Sequence, residues 1–166
     1  MKKIILLWIL LLSGITINAQ NQKGEWSLGY SGGASLKTES GFLCIDYRYN
    51  LTKGIRISPS ARRYLKKDGY KGAGGDIDLQ YVFNAGEFIN LYPYLGASYT
   101  YWDYLVDKKT KEYNKGQESF GYNMGVGIEI NVIDDIIIGL EAKYNYTEIN
   151  KQPIIGIRVG YVFKQW

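Results

Sequence analysis

The sequence predicts an all-β chain: eight antiparallel strands, connected up-and-down and closed into a transmembrane β-barrel. Three observations carry that expectation. Large apolar residues alternate with small or polar ones along most of the chain, and a period of two is the signature of a strand with two different faces. The polar face is rich in Gly, Ser and Asn and carries balanced charges rather than a dense solvated layer. Aromatic residues gather near strand ends. With 166 residues the chain is long enough for one domain and one core.

Composition removes several function classes. The chain has no His and a single cysteine, Cys44. The commonest general base and metal ligand is therefore missing. A cysteine metal site or an intramolecular disulfide within one chain is ruled out as well. No cofactor and no metal are expected. Net charge is +4, and +2 once Lys2 and Lys3 are removed, too little for a polyanion-binding argument, so no nucleic-acid partner is expected.

Residues 1–19 predict a cleaved secretory signal peptide. Lys2 and Lys3 give a positive start, Ile4–Leu12 an unbroken apolar run, and Ala19 a small residue at the cleavage position. Such a run is too short for a spanning helix but suits a signal. The domain is then 20–166.

The strands follow in order. Glu25–Leu36 alternates Trp26, Leu28, Tyr30, Ala34 and Leu36 against Ser27, Gly29, Ser31, Gly33 and Ser35. After a turn at Lys37–Ser40, Gly41–Asn50 sets Leu43, Ile45, Tyr47 and Tyr49 against Cys44, Asp46, Arg48 and Asn50. Ile55–Tyr64 sets Ile55, Ile57, Pro59 and Ala61 against Arg56, Ser58, Ser60 and Arg62; Pro59 cannot donate to a ladder, so a bulge or kink is expected there. Lys66–Gly75 reads as a Lys- and Gly-rich loop. Asp76–Asn84 then carries Ile77, Leu79, Tyr81 and Phe83 against Asp76, Asp78 and Gln80. Leu91–Trp102 carries Leu95, Ala97, Tyr99 and Tyr101 against Tyr92, Tyr94, Gly96, Ser98 and Thr100. Asp103–Glu118 reads as the longest loop. The clearest alternation is Phe120–Asn131, with Phe120, Tyr122, Met124, Val126, Ile128 and Ile130 against Gly121, Asn123, Gly125, Gly127, Glu129 and Asn131. Ile136–Tyr146 and Ile154–Phe163 complete the set. Strands of about ten residues cross a bilayer when tilted.

The alternation alone allows two orientations, oil inward in a soluble barrel or oil outward in a membrane barrel. The charges favour the second. Asp46, Asp76, Asp78, Glu129 and Glu141 face Arg48, Arg56, Arg62, Lys143 and Arg158 on the polar side, five of each sign. Charges set mid-strand among small residues form an interior network that must be internally satisfied. The aromatics agree. With strand direction alternating, Trp26, Tyr47, Tyr49, Tyr81, Phe83, Tyr161 and Phe163 fall at one rim, and Tyr99, Tyr101, Phe120, Tyr122, Tyr144 and Tyr146 at the other. Two aromatic belts flanking an aliphatic band match the two interfaces of a bilayer. Cys44 is expected as a small filler on the interior face.

With these features the chain resembles the small OmpA/OmpX-type outer-membrane β-barrels. Its last strand, Ile157-Arg-Val-Gly-Tyr-Val-Phe163, resembles the terminal signal read by the barrel-assembly machinery, although Lys164, Gln165 and Trp166 follow the aromatic that usually ends it. The resemblance implies residence in the bacterial outer membrane, termini on the periplasmic side, and long loops outside. The expected function is non-enzymatic, structural to the envelope or mediating surface interactions through the extracellular loops, without an open pore. The expected partners are outer-membrane lipids and the assembly machinery, with the chain a monomer. Tyr104, Leu105, Val106 and Tyr113 are the loop residues to test for surface contacts. Two alternatives stand beside this: a lipid-modifying outer-membrane enzyme using Glu129, Glu141 and Lys143, and a soluble periplasmic ligand-binding β-barrel.

Overall fold

The computed structural model describes residues 23–67, 70–86, 88–107, 112–113, 116–133, 135–148 and 151–163, with the backbone alone at 66–67, 70, 104–107 and 112–113. The predicted signal peptide lies outside the described residues. Ten strand segments run in chain order: β1 Trp26–Ser35, β2 Ser40–Asn50, β3 Ile55–Lys67, β4 Tyr70–Tyr81, β5 Phe83–Asn84, β6 Ile89–Asp107, β7 Glu112–Tyr113, β8 Gln117–Ile133, β9 Ile136–Thr147 and β10 Lys151–Phe163. Pairing is antiparallel throughout, in the order β4-β3-β2-β1-β10-β9-β8-β6, and β4 pairs with β6 to close the ring. The result is a closed, eight-stranded barrel in which each spanning strand is paired on both sides. The short β5 and β7 are pairing partners of β6 at its two ends.

The register fixes the barrel's dimensions. Followed from partner to partner, Trp26 leads to Tyr49, Ile57, Leu79, Leu95, Met124, Tyr144 and Pro153. The circuit returns to β1 through the Leu36 amide bonded to the Pro153 carbonyl, ten residues beyond its start. That stagger over eight strands tilts them about 40° from the axis and gives a backbone cylinder of radius about 8 Å. Such a cylinder has room for side chains and little else.

Side chains sort by the predicted alternation. On β8, Phe120 is 73% exposed and Val126 60%, while Glu129 is fully buried. The same holds for Leu95 and Ile157 outside against Arg158 inside. A soluble barrel would reverse this, so the oil-inward alternative is excluded: the apolar face is the outer one. The rims carry the aromatics. Trp26 stacks on Phe163 with centroids 3.8 Å apart, and Tyr161 meets Phe163 edge-on at the termini end. At the other end Tyr122 stacks on Tyr146 at 4.9 Å and Tyr99 leans on Phe120.

Three expectations need correction. Pro59 makes no bulge: β3 keeps one register with β4 across it, through Ser58↔Asp78, Pro59↔Ile77 and Ser60↔Asp76. On the β2 side the pairs either side, Asp46↔Ser60 and Tyr49↔Ile57, hold the same register, so the missing amide removes ladder bonds without moving the strand. The register shift in this hairpin lies instead between Tyr64 and Lys67. Lys66–Gly75 is mostly not a loop, because β3 and β4 pair as far as Lys67↔Tyr70. Of Asp103–Glu118, the described residues Asp103–Asp107 extend β6 and Glu112–Tyr113 form β7 paired to it, with Trp102↔Gln117 the last β6–β8 pair. Glycine and lysine content suggested turns, but glycines inside a barrel wall mark places where another side chain needs the space.

Candidate functional site

The site is the barrel interior, built by the inward parity of every spanning strand. Two ion clusters fill it. The first, nearer the termini, contains Arg48, Arg56 and Arg158 with Asp46, Glu129 and Glu141. Arg56 grips Glu129 through two bonds of 3.0 and 3.1 Å and gives its Nε proton to Gln80 at 2.6 Å. Arg48 donates to Glu129 and Asp46, each at 3.0 Å, and to Glu141. Arg158 reaches Asp46 at 2.8 Å from Nη2 and 2.9 Å from Nε. The Tyr92 hydroxyl donates to Glu141 at 2.7 Å, and the Arg48 and Arg56 guanidinium carbons lie 5.1 and 4.9 Å from the Tyr92 ring centre. Three cations thus meet three carboxylates, each carboxylate with at least one arginine partner.

The second cluster lies toward the loop end. Asp76 accepts from Arg62 at 3.0 Å, from Lys143 at 2.5 Å and from the Ser98 hydroxyl at 2.6 Å, and Asn145 donates to Ser98 at 2.7 Å. Asp78 belongs to this group by position but forms no ion pair among the described residues, and its buried Oδ1 has no hydrogen-bond partner. The structure therefore brings nine of the ten sequence-read charges into ion pairs and leaves Asp78 beside them. A cavity of about 30 Å³, room for roughly one water, lies against Asp78, Lys143, Arg62 and Cys44. Cys44 is buried and lines this space.

Above the second cluster an aromatic group closes the loop end. Phe42, Tyr64, Trp102 and Ile154 are packed together and buried. Tyr64 and Trp102 ring centres are 4.5 Å apart, and Arg62 lies under Tyr64 at 5.3 Å. Gln152 donates to the Tyr64 hydroxyl at 3.0 Å and accepts from Ser35.

The inward aromatics carry no charge to mark them, but the alternation puts Tyr92 and Tyr94 on the inward face, and both are buried there. In a barrel of radius about 8 Å rings need space from their ladder partners, and three of them face a glycine there: Tyr92↔Gly127, Tyr94↔Gly125 and Trp102↔Gly72. A Cβ at Gly127 would overlap the Tyr92 ring, and one at Gly29 or Gly160 would collide with the Arg158 guanidinium. The signal was present in the sequence: Tyr92, Tyr94 and Trp102 share the inward parity of Ser98 and Thr100.

The loop candidates stand elsewhere. Tyr104, Leu105 and Val106 lie on the β6 extension and Tyr113 on β7. Their side chains lie outside the described residues. Leu105 and Tyr113 are register partners in the small hairpin beyond the rim.

A closed antiparallel barrel with an apolar outside, aromatic rims and a salt-bridged interior defines a transmembrane β-barrel. Residues 9–163 match the outer membrane protein beta-barrel domain, and the chain belongs to that family. Solved structures share the fold at low identity. The N-terminal β-barrel domain of Pseudomonas aeruginosa OprF aligns over 86% of this chain and 100% of its own, with a TM-score of 0.74 and 16% identity. The Neisserial surface protein A aligns over 85% and 95%, at 0.61 and 15%. Ail, the attachment invasion locus protein of Yersinia pestis, aligns over 86% and 100%, at 0.58 and 17%. A comparison with curated proteins finds no significant match.

Proposed function

We propose that this chain is a non-enzymatic integral protein of the bacterial outer membrane that forms no open pore. Its role is to add a rigid barrel to the envelope and to present the loop-side hairpins for surface contact. One observation carries this reading: the interior is filled from the Arg48–Glu129 cluster to the Phe42–Tyr64–Trp102 group, with a cavity of about 30 Å³ between them. Reconstitution in planar bilayers is the test. The expected record shows no discrete conductance steps above the bare membrane; regular unitary steps from the folded barrel would overturn the reading.

The same reading places residues 1–19 as a removed secretory signal, the last strand as the segment recognised during assembly, outer-membrane lipids as the surrounding partner, and the barrel as a monomer without nucleic-acid contacts. An enzymatic role for Glu129, Glu141 and Lys143 is disfavoured by their occupation: both glutamates are held by Arg48 and the lysine by Asp76. Turnover of lipid A or phospholipid by the purified protein would reverse that judgement. Deletion of Lys108–Lys115 addresses surface contact. Loss of binding to host cells or matrix with the barrel still folded is the expected result, and unchanged binding would remove the surface role.

A further inference from the structure

One space in the lumen touches both ion clusters. The cavity of about 30 Å³ is bordered by the cations Arg48, Arg62 and Lys143 and by the carboxylates Asp46, Asp78 and Glu141. Its lining therefore carries as much positive as negative charge. Two of these side chains hold a polar atom that no other group takes. Arg62 gives Nη2 to Asp76 at 3.0 Å, but its Nε has no hydrogen-bond partner among the described residues, and neither has Asp78 Oδ1. Arg62 is only 3% exposed and Asp78 5%, so bulk water does not reach them.

Both groups are held where they are. The rings of Phe42 and Tyr64 lie 5.9 and 5.3 Å from the Arg62 guanidinium carbon. Asp78 faces Gly96 across the ladder, and its Oδ1 occupies the place that a Cβ on Gly96 would take. A buried charged group with an unmade hydrogen bond is costly. The two unmade bonds also select what fills them. One belongs to a donor and the other to an acceptor, so a ligand that serves both must accept and donate. A metal cation can take the Asp78 oxygen but not the Arg62 proton. A halide can take the proton but not the oxygen. Either ion would also unbalance a lining of three cations and three carboxylates. The volume admits roughly one molecule of water.

We propose that this cavity is the binding site of a single ordered water, which accepts from Arg62 Nε and donates to Asp78 Oδ1. A bridging water is nearly as good in enthalpy as a direct bond. Asp78 thus gains through water the cationic partner that it lacks in direct contact. Ser31, Ser58 and Ser60 on the same lining supply the further bonds that a buried water makes. The site links the loop-side cluster to Asp46, Arg48 and Glu141 of the other cluster.

The test uses the full folded chain, isotope-labelled, in detergent micelles. Magnetisation transfer from water to arginine Nε protons is read in the rotating frame, where through-space contact and proton exchange have opposite signs. Heat-shifted gel migration checks that each variant is folded. The expected result is a through-space contact from water to the Arg62 Nε proton. The Arg56 Nε proton, which Gln80 already accepts at 2.6 Å, should show none. The Arg62 contact should persist in Asp78→Asn, whose amide oxygen still accepts, and disappear in Asp78→Leu. No contact at Arg62 in the wild type, an equal contact at Arg56, loss in D78N or persistence in D78L would each overturn the proposal. So would a rubidium peak in the cavity of crystals soaked in rubidium chloride, which would assign the site to a cation. Conductance plays no part in these readouts, so a failure here is separate from a failure of the pore-free reading.

Discussion

The two ion clusters of the interior differ in how completely they are closed. Near the termini, Glu129 is fully buried and shared by two arginines, and Asp46 by two more contacts from Arg48 and Arg158. No carboxylate there is spare. Toward the loops, Asp76 alone holds Arg62 and Lys143, while Asp78 stands beside them with an unpartnered oxygen; the water-sized cavity lies between the clusters and touches Asp46, Arg48 and Glu141 as well as Asp78. In the termini-side cluster Arg158 Nη1 has no hydrogen-bond partner, but a network whose carboxylates are all paired has one arrangement for them, so removing a carboxylate leaves arginines stranded. A network with a spare carboxylate has a second arrangement available. The two halves of the same lumen should therefore respond differently to the same kind of substitution.

The largest effect is expected from Glu129→Gln. The change keeps the shape but leaves Arg48 and Arg56 buried with too little opposing charge. Stranding buried charge in this way costs about 3–5 kcal/mol. Urea unfolding of the barrel in lipid vesicles, followed by gel migration, measures it; a loss under about 1 kcal/mol would show that the cluster is not saturated. Asp76→Asn comes next, at about 2–3 kcal/mol. It removes the shared partner of Arg62 and Lys143, but Asp78 can take up part of that role. The Asp76→Asn, Asp78→Asn double variant should then lose more than the sum of the two single changes. Simple additivity would mean that Asp78 offers no second arrangement.

These differences show what a strand pattern can and cannot reveal. Alternation placed every one of the ten lumen charges on the correct face, because the side of a strand is a matter of parity alone. It also separated Phe120 and Val126 from Asn123 and Glu129 on one strand. Which carboxylate meets which arginine depends on the stagger between strands, and residues 81 apart in sequence, such as Arg48 and Glu129, become neighbours only when the ring closes. The hairpin lengths are hidden for a different reason. Gly72, Gly74 and Gly75 look like loop residues, yet Gly72 is paired in β4 and leaves space for the Trp102 ring across the ladder. Composition registers a glycine but not the ring that occupies its missing side chain.

That exchange of glycine for ring space predicts a packing effect in the termini-side cluster. Gly127→Ala places a methyl group where the Tyr92 ring lies, and Tyr92 donates to Glu141 while its face covers Arg48 and Arg56. Overpacking of this kind costs about 1–3 kcal/mol. The loss should shrink in Tyr92→Leu/Gly127→Ala, where the methyl group has a smaller neighbour, and the same unfolding measurement reads it. Equal losses with and without the ring would place the strain in the backbone instead.

The smallest effect, and the sharpest contrast with Glu129, is expected from Asp78→Asn alone. Both are buried lumen carboxylates, so burial by itself predicts similar losses. Ion pairing predicts otherwise. Asp78 has no salt-bridge partner among the described residues, and an amide of the same shape can still accept one hydrogen bond while donating into the adjoining cavity. The stability change should stay within about 1 kcal/mol of zero in either direction. A loss as large as that of Glu129→Gln would mean that Asp78 already holds Lys143 or Arg62 as firmly as Asp76 does. The loop-side cluster would then be as closed as the other, and the spare carboxylate would disappear from the account.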